Sequence, residues 1–203
     1  MSGNRDLGNG GVTHLHSVQL FDSHESAAHA LTSFVTQGFT NGDQMLLVMR
    51  LDDWNRAAVN LAYAGAPVGE AISSGQLVVR DSLRTLNAIR VGDLPTAERF
   101  ENIVGDLVRE CAARAANLRV YGDMVDLLAA DGRFDAAARL EELWNALRDR
   151  VAFTLFCGYS STHFCADGCN EPLQRIRRLH SDEYCDPDDF VANQLMEAAS
   201  ESR

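Results

Sequence analysis

Four of the five cysteines, Cys157, Cys165, Cys169 and Cys185, fall within 29 residues, with His163 and His180 among them. Cys165-Ala-Asp-Gly-Cys169, followed by His180 and Cys185, gives a Cys-x₃-Cys…His-x₄-Cys spacing within the range of structural zinc sites. Zn²⁺ takes four soft or borderline ligands in a tetrahedron, so these four residues are candidate ligands. Zinc is the one cofactor this pattern suggests. A redox pair is a second reading, open to any two thiols whose Cα atoms approach within about 7 Å. The third is a set of incidental free cysteines, since cytosolic chains rarely build disulfide frameworks.

Other reactive groups stand at the ends of predicted strands. Tyr121-Gly122-Asp123-Met124 lies where a strand ends and a helix begins, and binding crevices of doubly wound folds open at such carboxyl ends. Tyr121 and Asp123 are therefore candidate ligand-binding residues; the alternative for Asp123 is to cap the following helix. Glu141 and Glu142 precede Trp144, which belongs to the apolar stripe of that helix. Glu141 either reaches a crevice edge or pairs on the surface with Arg139 or Arg148. His16 stands at the mouth of the first strand and Cys157 at the carboxyl end of the last. A histidine and a thiol facing one apolar cavity would suit a small polarizable organic ligand, and equally a metal. The alternative for Cys157 is a buried thiol that serves as a small hydrophobe.

Several chemistries are missing. The apolar run Leu46-Leu47-Val48-Met49 is followed by Arg50-Leu-Asp-Asp-Trp-Asn55, with no glycine run and no Gly-Lys-Ser/Thr to cradle phosphates. Asp52 and Asp53 would oppose a triphosphate there. No Gly-x-Gly-x-x-Gly follows any strand, and Gly158-Tyr-Ser-Ser-Thr162 is not a nucleophile elbow. The sequence reads as non-enzymatic.

The elements that must position these groups alternate. Strands are predicted over residues 17–21, 44–49, 76–80, 118–121 and 152–157. Helices are predicted over 22–38, 52–64, from 81, from 95 to about 116, over 124–130 and over 134–150, by apolar spacing and stop signals. No hairpin signal and no repeat stands out, and a final helix is predicted over 187–199. The expected fold is α/β, a doubly wound, mostly parallel sheet flanked by helices. At 203 residues and 46% hydrophobic content, one domain accounts for the chain. We divide it into a disordered tail over 1–13, a domain over 14–180 and an acidic, partly helical tail over 181–203. That last stretch is either solubilising or a docking segment for a basic partner. A net charge of −11 argues against direct nucleic-acid binding. The absence of an apolar run long enough to span a bilayer points to a soluble, cytoplasmic protein.

Four phrases, His16-Ser-Val-Gln-Leu-Phe21, Arg119-Val-Tyr-Gly-Asp-Met-Val-Asp-Leu-Leu128, Leu140-Glu-Glu-Leu-Trp-Asn-Ala-Leu147 and Phe153-Thr-Leu-Phe-Cys-Gly-Tyr159, resemble the MEDS domain. That family is named for methanogens, methylotrophs and the dichloromethane-responsive regulator DcmR. The resemblance implies a KaiC/RecA-like domain turned from ATP hydrolysis to sensing, in bacterial signal transduction or transcription control. Asp123 stands where the family usually shows glutamate, Cys157 matches its Leu-Cys-x-Tyr, and His16 matches its opening histidine. The family's cysteine three residues before the position of His180 is here Arg177, which removes any Cys-x-x-His pair. The implied function is a non-catalytic sensor that binds a small organic ligand and signals through a protein partner, a kinase or transcription regulator; a homodimer is left open. Two alternatives remain: a zinc- or redox-dependent regulator using the C-terminal cysteines, and a degenerate nucleotide-binding scaffold.

Overall fold

The computed structural model describes residues 15–164 and 169–183. The tail over 1–13, the helix over 187–199, Cys165 and Cys185 lie outside the described residues.

Six strands, β1 (His16–Phe21), β2 (Gln44–Met49), β3 (Leu77–Asp81), β6 (Leu118–Gly122), β7 (Thr154–Ser160) and β8 (Asp182–Glu183), form one sheet in the order β3-β2-β6-β7-β1-β8. Every pairing in it is parallel. The two remaining strands, β4 (Arg90–Val91) and β5 (Leu94–Pro95), form a small antiparallel hairpin around Gly92, whose φ is 60°. No hairpin was expected there. The strands are too short for alternation to register, and only the glycine marked the turn.

Parallel strands need crossovers, and the helices supply them on both faces of the sheet. Helices α1 (His24–Asn41), α2 (Leu51–Tyr63) and α3 (Val68–Ser74) cover one face. There Phe34, Leu61, Met45, Leu47, Tyr121 and Phe156 pack together. Against the other face lie α4 (Ser82–Ile89), a helical run comprising α5 (Ala97–Phe100), a π-helical stretch (Glu101–Gly105) and α6 (Asp106–Ala112), then α7 (Met124–Ala130), α8 (Phe134–Arg148) and α9 (Asn170–Arg178). Trp144 is fully buried at the centre of this second core, edge-on to Phe100 at 5.1 Å and to Phe153 at 6.1 Å between ring centroids. Strand β2 is buried along its whole length, as its continuous apolar run requires of a central parallel strand.

Some boundaries moved. α1 does not stop at Gly38 but at Gly42, whose φ of 70° provides the left-handed cap. Gly38 serves a different purpose: a Cβ there would strike the Met45 side chain on β2. The short α3 and α9 were not anticipated, nor was β8, which falls in the acidic tail. Only pairing with β1 makes a strand of those two acidic residues.

Candidate functional site

The carboxyl ends of β1, β2, β6 and β7 surround a crevice of about 490 Å³. Each strand contributes the residues just past its end. After β1, Asp22 and Ser23 turn the chain into α1, whose N-cap Ser23 accepts from the Ser26 backbone N–H at 3.1 Å. After β2, Arg50 leads directly into α2, whose first turn carries Asp52 and Asp53. The apolar side is lined by Phe21, Ala27, Ala28, Leu31 and Met49. Gly158 allows Tyr121 and Phe21 to meet across β7: a Cβ there would lie 2.8 Å from both the Tyr121 hydroxyl and the Phe21 ring.

The polar end is built on Arg50. Its guanidinium pairs with Asp126 and lies 3.6 Å from Asp123, while its backbone N–H donates to Asp123 Oδ2 at 3.0 Å. Asp126 in turn accepts from the Ser160 backbone N–H at 2.7 Å and faces His163 at 3.0 Å. Asp123 precedes α7 without capping it by its side chain, so the capping alternative does not hold. Burial pushes the Asp123 carboxyl up to about 6, against the opposing pull of Arg50 and the neighbouring Ser82 hydroxyl. Neither Asp123 Oδ1 nor Ser82 Oγ reaches hydrogen-bond geometry with any described group. The crevice is thus bordered by a buried carboxyl that titrates at about 6 beside a partly exposed guanidinium.

The predicted set divides. Tyr121 and Asp123 line the crevice, whereas His16, Glu141 and Cys157 are sealed in the core of the opposite face with no exposed surface. The pleat separates them. Register places Cys157 beside Gly122 and Val18, pointing with Leu155 and Tyr159 towards α8, while Tyr121 and Phe156 point towards α1. Cys157 is also mid-strand, since β7 runs on to Ser160.

Glu141 lies at the middle of this second group. Its Oε1 accepts from the Tyr159 hydroxyl at 2.8 Å and lies 3.3 Å from His180 Nε2. Its Oε2 lies 3.2 Å from His16 Nε2 and 3.4 Å from Cys157 Sγ. Burial by itself would raise the Glu141 carboxyl, yet His180 and His16 hold it well below the usual carboxylate range. Desolvation would lower His180, but Glu141 outweighs it and raises that imidazole. Cys157 and Tyr159 are pushed up by burial and by the adjacent carboxylate. Glu142, by contrast, faces outward to Arg139 and Arg175.

His180 was assigned to the cysteine cluster, but the end of α9 carries it into the core beside His16, with ring centroids 4.1 Å apart. Cys169 precedes the other end of that helix as a partly exposed free thiol. The sequence grouped His180 with nearby cysteines, of which Cys165 and Cys185 lie outside the described residues. Asn145 and Tyr159, which hold His16 and Glu141, carried no signal beyond their places on α8 and β7.

A family model for the methanogen/methylotroph, DcmR sensory domain matches residues 15–181. The chain belongs to the MEDS family. The match runs from the start of β1 to the residue before β8, so both the crevice and the buried cluster lie inside the MEDS domain. No curated protein matches the chain. Among the described residues no helix of this MEDS domain is long and apolar enough to cross a membrane.

Proposed function

We propose that this MEDS domain is a non-catalytic sensor whose crevice takes a small organic molecule, mainly apolar with one hydrogen-bonding head, and whose bound state is read by a signalling partner. The carrying observation is a crevice whose apolar side, Phe21, Leu31 and Met49, faces the partly exposed Arg50 guanidinium and the carboxylates around it. A ligand hydroxyl or amide buried there needs a hydrogen-bond partner, which Arg50 and its carboxylates offer. The volume suits a small molecule. Three aspartates, Asp53, Asp123 and Asp126, already surround Arg50, which disfavours a phosphate at the crevice and with it the nucleotide-scaffold alternative.

Binding to the folded state alone raises stability by about 2.7 kcal/mol at a hundredfold excess over Kd. A thermal-shift screen of small alcohols, amides and halogenated hydrocarbons should therefore find compounds that raise the melting temperature. Ala28→Trp, which fills the crevice, should abolish the response. A response that survives Ala28→Trp, or micromolar affinity for Mg·ATP, would overturn the reading.

A further inference from the structure

The buried cluster has features that a sensor crevice on the other side of the sheet does not explain. His16, Glu141, Cys157 and His180 each offer one donor atom, and these atoms all lie within 4.8 Å of one another. They come from four separate elements: β1, α8, β7 and the turn after α9.

The outer partners decide what the two imidazoles present. Asn145 Nδ2 donates to the Leu179 carbonyl at 2.7 Å, which turns Asn145 Oδ1 towards His16 Nδ1 at 2.8 Å. A carbonyl can only accept, so His16 Nδ1 must carry hydrogen. His180 Nδ1 faces the Ile176 carbonyl at 2.8 Å and must do the same. In the neutral rings both Nε2 lone pairs are therefore aimed inward, the orientation seen when outer carbonyl or amide oxygens set a metal-ligating histidine. With neutral rings and nothing between them, those lone pairs would face a carboxylate at 3.2 and 3.3 Å, whereas a protonated ring would donate to it. His180 Nε2 is buried and out of hydrogen-bonding line with every described group.

We infer that His16, Glu141, Cys157 and His180 form a closed binding site for a divalent transition metal of the zinc class. The spacing supports it. Ligands about 2.0–2.3 Å from a tetrahedral ion lie roughly 3.3–3.7 Å from each other. Glu141 Oε2 lies 3.2 Å from His16 Nε2 and 3.4 Å from Cys157 Sγ, those two lie 3.5 Å apart, and His180 Nε2 lies 3.3 Å from Glu141 Oε1. Charge supports it as well: one thiolate and one carboxylate neutralise a divalent ion, so the filled site buries no net charge. Binding would release the Cys157 proton to solvent. Tyr159 and Asn145 are positioning residues, holding Glu141 and His16.

The site also has a mechanical consequence. His180 is followed by Ser181, whose backbone N–H donates to the His16 carbonyl at 2.9 Å, and by β8, which pairs with β1. An ion held between His16 and His180 would tie the end of α9 and β8 to β1.

The test is a Co²⁺ titration of the full chain after chelator stripping, with elemental analysis of unstripped protein. One tetrahedral Co²⁺ per chain with a thiolate charge-transfer band is expected. The band should persist in the Cys165→Ser/Cys169→Ser/Cys185→Ser variant and vanish in Cys157→Ser, while Asn145→Ala should weaken binding about 10–100-fold. Failure to bind Co²⁺ or Zn²⁺ at micromolar metal overturns the proposal. So does a band lost in the triple variant, which would place the ion at the outer cysteines. The triple variant retains the proposed ligands, so the test stands even if Cys157→Ser does not fold. Metal binding without any crevice ligand would uphold this site and sink the sensor reading, and the converse would do the opposite.

Discussion

Replacing Asp123 with asparagine removes an ionisable group from the crevice while keeping an oxygen able to accept from the Arg50 backbone N–H at 3.0 Å. The carboxyl titrates near 6 in the fold, against a reference of 3.8. Between those values the folded chain holds a proton that the unfolded chain has released, so stability falls as pH rises through that window. At about 1.36 kcal/mol for each pH unit of difference, the loss is on the order of 3 kcal/mol by neutral pH. The asparagine variant lacks this slope. Its stability relative to the parent should therefore improve by roughly 3 kcal/mol between about pH 4 and pH 7. For a chain of this size that is a relative swing in melting temperature of some 6–12 °C. Melting both proteins side by side across that range isolates the effect, because every other titrating group is common to both. A difference that stays flat with pH would refute the reasoning. A difference of opposite sign would mean that Arg50, not burial, dominates the site.

Gly158→Ala should destabilise the fold by about 1–3 kcal/mol in urea melts, because the new methyl meets the Tyr121 hydroxyl and the Phe21 ring, both held by their own packing. The same variant should weaken any crevice ligand found by thermal shift. Trp144→Ala opens a cavity between Phe100 and Phe153 and should cost about 3–5 kcal/mol, read as a lower denaturation midpoint with an unchanged slope. Isothermal titration with Mg·ATP should show no binding tighter than millimolar and no phosphate release, because Asp53, Asp123 and Asp126 already surround Arg50.

Much of the architecture was legible because it is written locally. The apolar run of β2, the stripe bearing Trp144 on α8 and the strand-to-helix change at Gly122-Asp123 each follow from spacing within a few residues. Placing Tyr121 and Asp123 at a carboxyl-end crevice needed only the rule for parallel sheets. Where local signals were weak the reading fell short. The two-residue strands β4, β5 and β8 are too short for alternation, and β8 exists only because β1 is beside it.

The buried cluster depends on relations that no local pattern encodes. His16 and Cys157 are 141 positions apart, and they meet because β1 and β7 are neighbours in the sheet order. Which face Cys157 takes depends on register, since a slip of one residue along β7 would turn it towards α1 and bring Phe156 to Glu141. His180 joins them through the docking of α9, although its neighbours in sequence suggested a site among the outer cysteines. The sequence by itself determined the strand–helix alternation, the buried strands and the crevice at their carboxyl ends, because period and turn chemistry act over a few residues. Only the tertiary structure decided which donors share a point, because strand order, register and helix docking bring together residues far apart in the chain.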